Sequence, residues 1–284
     1  MSMNNKSKTL GGKIARALLY AFLILWAAIQ IFPLYWLLTF SLKDNSEIFG
    51  GNLIGLPHKF LWSNYQKALV NAKVGTYFMN SVIITAVTIA ITVAVSLMAS
   101  YALVRMKWRF RGTALFFFMA GLMIPIHAAL LPVFLILRRV HLLDTYWALI
   151  LPYVAFAIPM AVLILTSFMK SIPREIEEAA CIDGCSIYRI FFSIIMPILR
   201  PAIATISIFT FLQAWNELMF ATVFISKESC KTLTVGIQSM AGKYSTEWGP
   251  IGAALVVATL PTIIIYLLMS SQVHKSLTIG AVKG

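Results

Sequence analysis

The chain of 284 residues is 60% apolar and only 12% Asp, Glu, Lys or Arg, against about 25% in a soluble domain, which excludes a water-soluble globule. Lys and Arg outnumber Asp and Glu by 23 to 10, a net +13 that in a soluble chain would suggest nucleic acid. No basic residue lies inside the long apolar runs, so the excess reads as a membrane-topology signal, with a lipid bilayer and no nucleic acid as partner.

The first run, 17–40, follows Lys6, Lys8, Lys13 and Arg16 and lacks a small-residue cleavage site before Lys43, so it reads as a retained span and not a signal peptide. Runs 74–104, 112–137, 145–169, 201–226 and 248–274 follow, the fifth interrupted only by Glu217. They predict an all-α membrane protein of six transmembrane helices, with residues 1–284 forming one transmembrane domain. Pro125, Pro132, Pro152, Pro159 and Pro261 fall inside these runs, where they fit either functional breaks or plain kinks.

An arrangement with the N-terminus inside places 14 Lys and Arg inside and 9 outside, so both termini are expected in the cytoplasm. The link 105–112 weighs most, with Arg105, Lys107, Arg109 and Arg111 and no acid; Arg138 and Arg139 fall on the outer side.

The one long polar inner segment, 170–200, holds four of the ten acids: Glu175, Glu177, Glu178 and Asp183. A short helix begun by Pro173 is expected over 175–183, with the Glu near the positive end of its dipole. Gly184 permits a turn, and Ser186 is positioned to cap a second helix carrying Ile187, Ile190, Phe191 and Ile194 until Pro197 and Pro201. A helix–turn–helix at the inner surface is expected, with Ala179, Ala180 and Gly184 removing side-chain bulk where another protein could approach closely.

Glu217 is the only acid within a run, and ionised and unpaired at a helix centre it would cost about 2.5–3.5 kcal/mol. Counted from Pro201 it lies ~24 Å along a helix, near the outer end. With Gln213 and Asn216 beside it, it fits a translocation pathway or partner contact on one reading and a structural interhelical bond on the other. Cys181 and Cys185, four apart with no His nearby, fit packing better than a metal site. The scattered Ser, His and acids assemble no catalytic set, so no catalytic residue, metal or cofactor is expected.

The run Glu178-Ala179-Ala180, three residues, Gly184, nine residues, Ile194-Ile195-Met196-Pro197 resembles the EAA-x3-G-x9-I-x-[LM]-P loop of permease subunits in bacterial ABC importers. From residue 74 onward the chain is similar to the maltose-type sugar permeases of that family. The likeness rests on Asn80-Ser81, Tyr101-Ala102-Leu103-Val104-Arg105, Met123-Ile124-Pro125, Asp144-Thr145-Tyr146-Trp147-Ala148, Trp215-Asn216-Glu217 and the ending 277–284. His127 departs from the pattern, which has Gln there, and as a lone His on a span it also fits an interhelical hydrogen bond.

The resemblance implies a permease subunit translocating a carbohydrate, in the bacterial cytoplasmic membrane. It implies a homologous permease subunit, two cytoplasmic ATPase subunits and an extracellular or periplasmic solute-binding protein as partners. It assigns ATPase coupling to Glu178, Ala179, Ala180, Asp183, Gly184 and Pro197, and leaves Asn80, His127, Gln213, Asn216 and Glu217 as pathway or substrate candidates. The chain contains no G-x-x-x-x-G-K-[ST] loop, so ATP hydrolysis would belong to another chain. An ion-coupled secondary transporter is the alternative, but it would call for mid-membrane charges and often an internal repeat, and neither is visible.

Overall fold

The computed structural model describes residues 10–242 and 246–281, with the side chains of 10, 11, 15 and 269–281 left aside. Lys6, Lys8, Lys243 and Lys283, used in the orientation count, lie outside the described residues, as do the last three residues of the 277–284 ending. Among the described residues the chain is helical without strands, as the composition requires: in a bilayer a helix satisfies every backbone group within itself.

In order the helices are α1 (Leu10–Ser41), α2 (Asn45–Phe49), α3 (Ser63–Gln66), α4 (Val74–Val104), α5 (Arg111–Gly121), α6 (Leu130–Arg139) and α7 (Trp147–Lys170). There follow α8 (Glu175–Ile182), α9 (Ile187–Ile190), α10 (Met196–Ile198), α11 (Arg200–Trp215), α12 (Met219–Phe224), α13 (Leu233–Ser239) and α14 (Trp248–Ala281). Four described helices are long and apolar enough to cross a membrane, Gly12–Ser41, Val74–Val104, Trp147–Lys170 and Trp248–Leu268, and the number rises to six if each of two bent pairs is one span.

One bent pair corrects a run expected as an unbroken helix, and the other falls where Pro197 and Pro201 were expected to interrupt. Over 112–137 the chain turns by 94° between Gly121 and Ile126, because Pro125 is held extended and disfavours helix in the residue before it. A second bend of 73° falls between Ile198 and Arg200, with Pro201 in the first turn of α11. The expected helix 201–226 also stops at Trp215 and resumes as α12. Pro152 and Pro159 stay inside an unbroken α7, which supports the plain reading of those two.

The chain divides into two compact units, Met1–Ala72 with Met240–Val257, and Lys73–Ser239 with Ala258–Gly284. In the first, a Cβ on Gly249 would overlap the Lys43 carbonyl and the Asn64 amide, so only glycine admits this approach. Asn64 Nδ2 donates to the carbonyls of Ser41 and Lys43, and the buried Lys43 ammonium donates to those of Asn52 and Gly55, each at 2.7 Å. Burial pushes the Lys43 ammonium below its ordinary value, and the Glu47 carboxylate opposes that shift.

The second unit is built on α4 against α7. Along α4, Ser81, Thr85, Thr88, Thr92, Ser96 and Ser100 recur at helical spacing and are all buried. Such small side chains let helix backbones approach closely. Two apolar clusters form around this pair, one with Leu97, Leu165, Met169, Ile195 and Leu199, the other with Ile84, Leu149, Tyr153, Phe220 and Phe224.

Candidate functional site

The helix–turn–helix expected in 170–200 is present as α8, a turn and α9. Gly184 sits at φ +77°, a conformation L residues enter only at a cost, and a Cβ there would meet no neighbouring atom. Ser186 caps α9, its hydroxyl accepting from the Arg189 N–H at 3.4 Å. Past Ile190 the backbone winds into a π turn, Phe191–Ile195, just before Pro197, whose missing N–H already breaks the regular ladder.

The two faces of α8 differ. Glu178, Ala179, Asp183 and Gly184 are exposed, together with Ile182 and, beyond the turn, Tyr188. Ala180 is not: only 6% exposed, it packs with Tyr101, Phe191 and Ile195, so its small size serves the core, contrary to the expectation of an exposed stretch. Pro197 is half-buried and marks the end of the π turn.

Glu177, three residues before Ala180, shares the inward face. Its Oε1 lies 2.6 Å from Arg105 Nε, and its Oε2 accepts from the Tyr101 hydroxyl at 3.2 Å. Arg105 Nη2 donates to the Ile172 carbonyl, and Arg174 Nη2 to that of Val104. The exposed knob is thereby strapped to the end of α4. Sequence reasoning missed the strap, although Arg105 closes the Tyr101–Arg105 stretch and the spacing of Glu177 from Ala180 separates it from Glu178.

The pathway candidates fall into different surroundings. Asn80 is saturated: its Nδ2 donates to the carbonyls of Ser229 and Lys231, each at 2.9 Å, and its Oδ1 accepts from the Tyr146 hydroxyl at 2.6 Å. The same loop is held by Leu233 N–H on Ser81, by Ser226 and Lys227 N–H on the Asp144 carboxylate, and by Lys73 and Tyr77 on Glu228. The Lys73 ammonium, then the Tyr77 hydroxyl, hold the Glu228 carboxyl below its ordinary value. Asn80 therefore pins the loop to α4 and to Tyr146.

Glu217 occupies the break between α11 and α12. Its Oε1 accepts from Phe220 N–H at 2.8 Å, and its Oε2 from Ala221 N–H at 3.0 Å and the buried Tyr153 hydroxyl at 2.7 Å. A carboxylate on the free N–H groups of a helix start is satisfied by charge-assisted bonds and by the dipole. The structural reading of Glu217 is the one the geometry carries. Asn216 is exposed and turns its amide back to the Leu212 carbonyl at 2.9 Å, closing α11.

His127 is exposed on a 3-10 turn in the first bend, its ring edge-on to Phe220 at 6.5 Å between centroids, in place of the expected interhelical hydrogen bond. Gln213 lines a cavity of about 220 Å³ between α7 and α11 with Thr210 and Met160. The structure thus ties Asn80 and Glu217 into hydrogen-bonded networks, leaves Asn216 and His127 exposed, and sets Gln213 in the wall of the α7–α11 cavity.

Residues 92–278 match the family model for the binding-protein-dependent transport system inner membrane component. The chain is 36% identical over 95% of its length to the probable ABC transporter permease protein YurM of Bacillus subtilis, 90% of which is covered. It is 35% identical to the sulfoquinovosyl glycerol transport system permease protein SmoH of Agrobacterium fabrum, with 89% of each chain covered. It is 32% identical to the trehalose/maltose transport system permease protein MalG of Thermococcus litoralis, over 95% of this chain and 98% of that one. A crystal structure of a bacterial ABC transporter involved in alginate import superposes with a TM-score of 0.81 at 21% identity, covering 93% of this chain and 98% of that one. That likeness establishes the fold.

Proposed function

The chain belongs to the family of binding-protein-dependent transport system inner membrane components, and on that premise we propose that it is the permease subunit of an ABC importer for a sugar or related carbohydrate. It works beside a second, homologous permease subunit, two cytoplasmic ATPase subunits and an external solute-binding protein. It sits in the bacterial inner membrane with both termini cytoplasmic. The carbohydrate reading is supported by relatives named for the transport of sulfoquinovosyl glycerol, trehalose/maltose and diacetylchitobiose.

One observation carries the coupling role: the contrast between the two faces of α8. Glu178, Ala179, Asp183 and Gly184 stand exposed for docking, while Glu177 and Ala180 fix the same short helix to α4 and the core. A rigid helix pushed on its outer face moves what its inner face grips. ATP-driven closure of the ATPase pair would reach α4 through Arg105 and Tyr101, and α11 through the turn before Pro197.

Gly184→Asp tests this, since its Cβ would meet no neighbouring atom while it adds bulk and charge to the exposed turn; the cost of about 1–2 kcal/mol for a non-glycine residue at φ +77° is matched by Gly184→Asn, which adds no charge. The expected result is normal membrane insertion and pairing with the sister permease, with loss of the ATPase subunit or of substrate-stimulated turnover; Glu178→Lys gives a milder form. Wild-type ATPase retention and uptake in Gly184→Asp would overturn the assignment.

A further inference from the structure

At the end of α4 nearest the strap lies a second, unassigned cavity of about 320 Å³, opening between α4, α5 and α7. Four cations line it, Arg105, Arg111, Lys170 and Arg174, and no acid does. Arg105 is engaged by Glu177, while Arg111, Lys170 and Arg174 are exposed, Arg174 with its Nη2 donating to the Val104 carbonyl. Glu175 and Glu177 on α8 are the nearest acids in sequence, opposed by Lys107 and Arg109 in the link before α5. The balance around the cavity is strongly positive.

The remaining wall is apolar, with Leu103 and Leu115. Beyond it α5 leaves Phe116 and Phe117 uncovered, and Trp108 and Phe110 are exposed in the adjoining link. An exposed Trp such as Trp108 suits the boundary of a bilayer and exposed Phe its apolar side, and basic pockets between spans at that boundary suit lipid headgroups. A small free anion would need the cations alone. A phospholipid also uses the apolar wall, its phosphate inside and its acyl chains along α5.

We propose that this cavity holds the phosphate headgroup of an anionic phospholipid. The inference needs only that α4, α5 and α7 meet the bilayer, so it stands independently of the cargo and of which membrane face is cytoplasmic.

The test is native mass spectrometry of the full transporter in mild detergent, titrated with phosphatidylglycerol or phosphatidylcholine, with inorganic phosphate as competitor. Wild type should retain one phosphatidylglycerol per chain in preference to phosphatidylcholine. Arg111→Ala and Lys170→Ala should each weaken it about fivefold. Lys107→Ala with Arg109→Ala removes twice the charge of either variant, outside the cavity, and should leave binding unchanged. Gly112→Phe should exclude the lipid without altering thermal unfolding, because a Cβ at this lining position meets no atom within 4 Å. Equal retention of the two lipids, an equal loss in the control pair, or displacement by inorganic phosphate would overturn the proposal.

Discussion

Arg105 and Glu177 form an ion pair of 2.6 Å between side chains only 7% and 14% exposed, joining the end of the longest buried helix to the short helix α8. Tyr101 and the Ile172 carbonyl take up further hydrogen-bonding capacity of the pair. Desolvating two charges is expensive, but removing one is worse, because the other is left buried without its counterion. Arg105→Ala should therefore destabilise the chain by about 3–5 kcal/mol. Arg105→Lys should recover little, since an ammonium cannot reproduce the fork that reaches both the carboxylate and Ile172. The joint replacement Arg105→Met with Glu177→Leu should recover most of the loss. Thermal unfolding in detergent checks all three, and a fully stable Arg105→Ala would refute the strap.

How much of this was legible in the sequence differs by element. The long helices α4 and α7 follow from uninterrupted apolar runs, and the turn at Gly184 and cap at Ser186 from local backbone chemistry. The bend at Pro125 was not, because proline is tolerated in α7 and disruptive elsewhere according to what neighbouring helices supply, nor was the stop at Trp215, which no proline marks. At the site, the exposed positions of the 178–184 stretch were legible from small residues. Ala180 and Glu177 were not, because whether a short helix turns a side chain outward or inward depends on tertiary packing. Asn80 and Glu217 were singled out as polar groups in apolar surroundings, but the partners of Asn80, and Tyr153 for Glu217, lie more than 60 residues away in sequence, and the N–H groups that Glu217 takes are freed only by the helix break.

Asn80 should behave as a structural residue. Its three hydrogen bonds to Ser229, Lys231 and Tyr146 are part-buried and each worth about 0.5–1.5 kcal/mol, and truncation removes all three. Asn80→Ala is expected to lower the melting temperature and the amount of folded protein, with an unchanged KM for uptake in what survives. Asn80→Asp should be worse, because a carboxylate cannot donate to the two carbonyls. A raised KM with normal stability would return Asn80 to the pathway.

Glu217→Gln removes one acceptor where two are used. The carboxylate serves Phe220 and Ala221 N–H through separate oxygens, so the amide must set an NH₂ against a donor. A loss of about 1–3 kcal/mol is expected, with uptake falling in proportion to folded protein. Tyr153→Phe removes only one donor to Oε2 and should cost less. Lost uptake at wild-type stability in Glu217→Gln would instead favour a direct role in translocation.

The Glu228 contact makes the loop after α12 sensitive to acid. Lys73 and Tyr77 favour the charged carboxylate, so its folded value lies below the ordinary 4.5. A depressed carboxyl pKa contributes stability that is complete above the unfolded value and disappears as pH falls through the folded one. At neutral pH the contact should therefore be fully formed, with weakening confined to the interval that begins near 4.5 and runs downward. Hydrogen exchange at amides 228–233, corrected for the intrinsic rate, should show protection falling across that interval in wild type. Glu228→Gln should be less protected at neutral pH and nearly flat below it. Because Lys73 and Glu228 are both more than half exposed, high salt should shrink the wild-type advantage. Protection that tracks pH identically in wild type and Glu228→Gln would assign the loop's order to Asn80 and Asp144 alone.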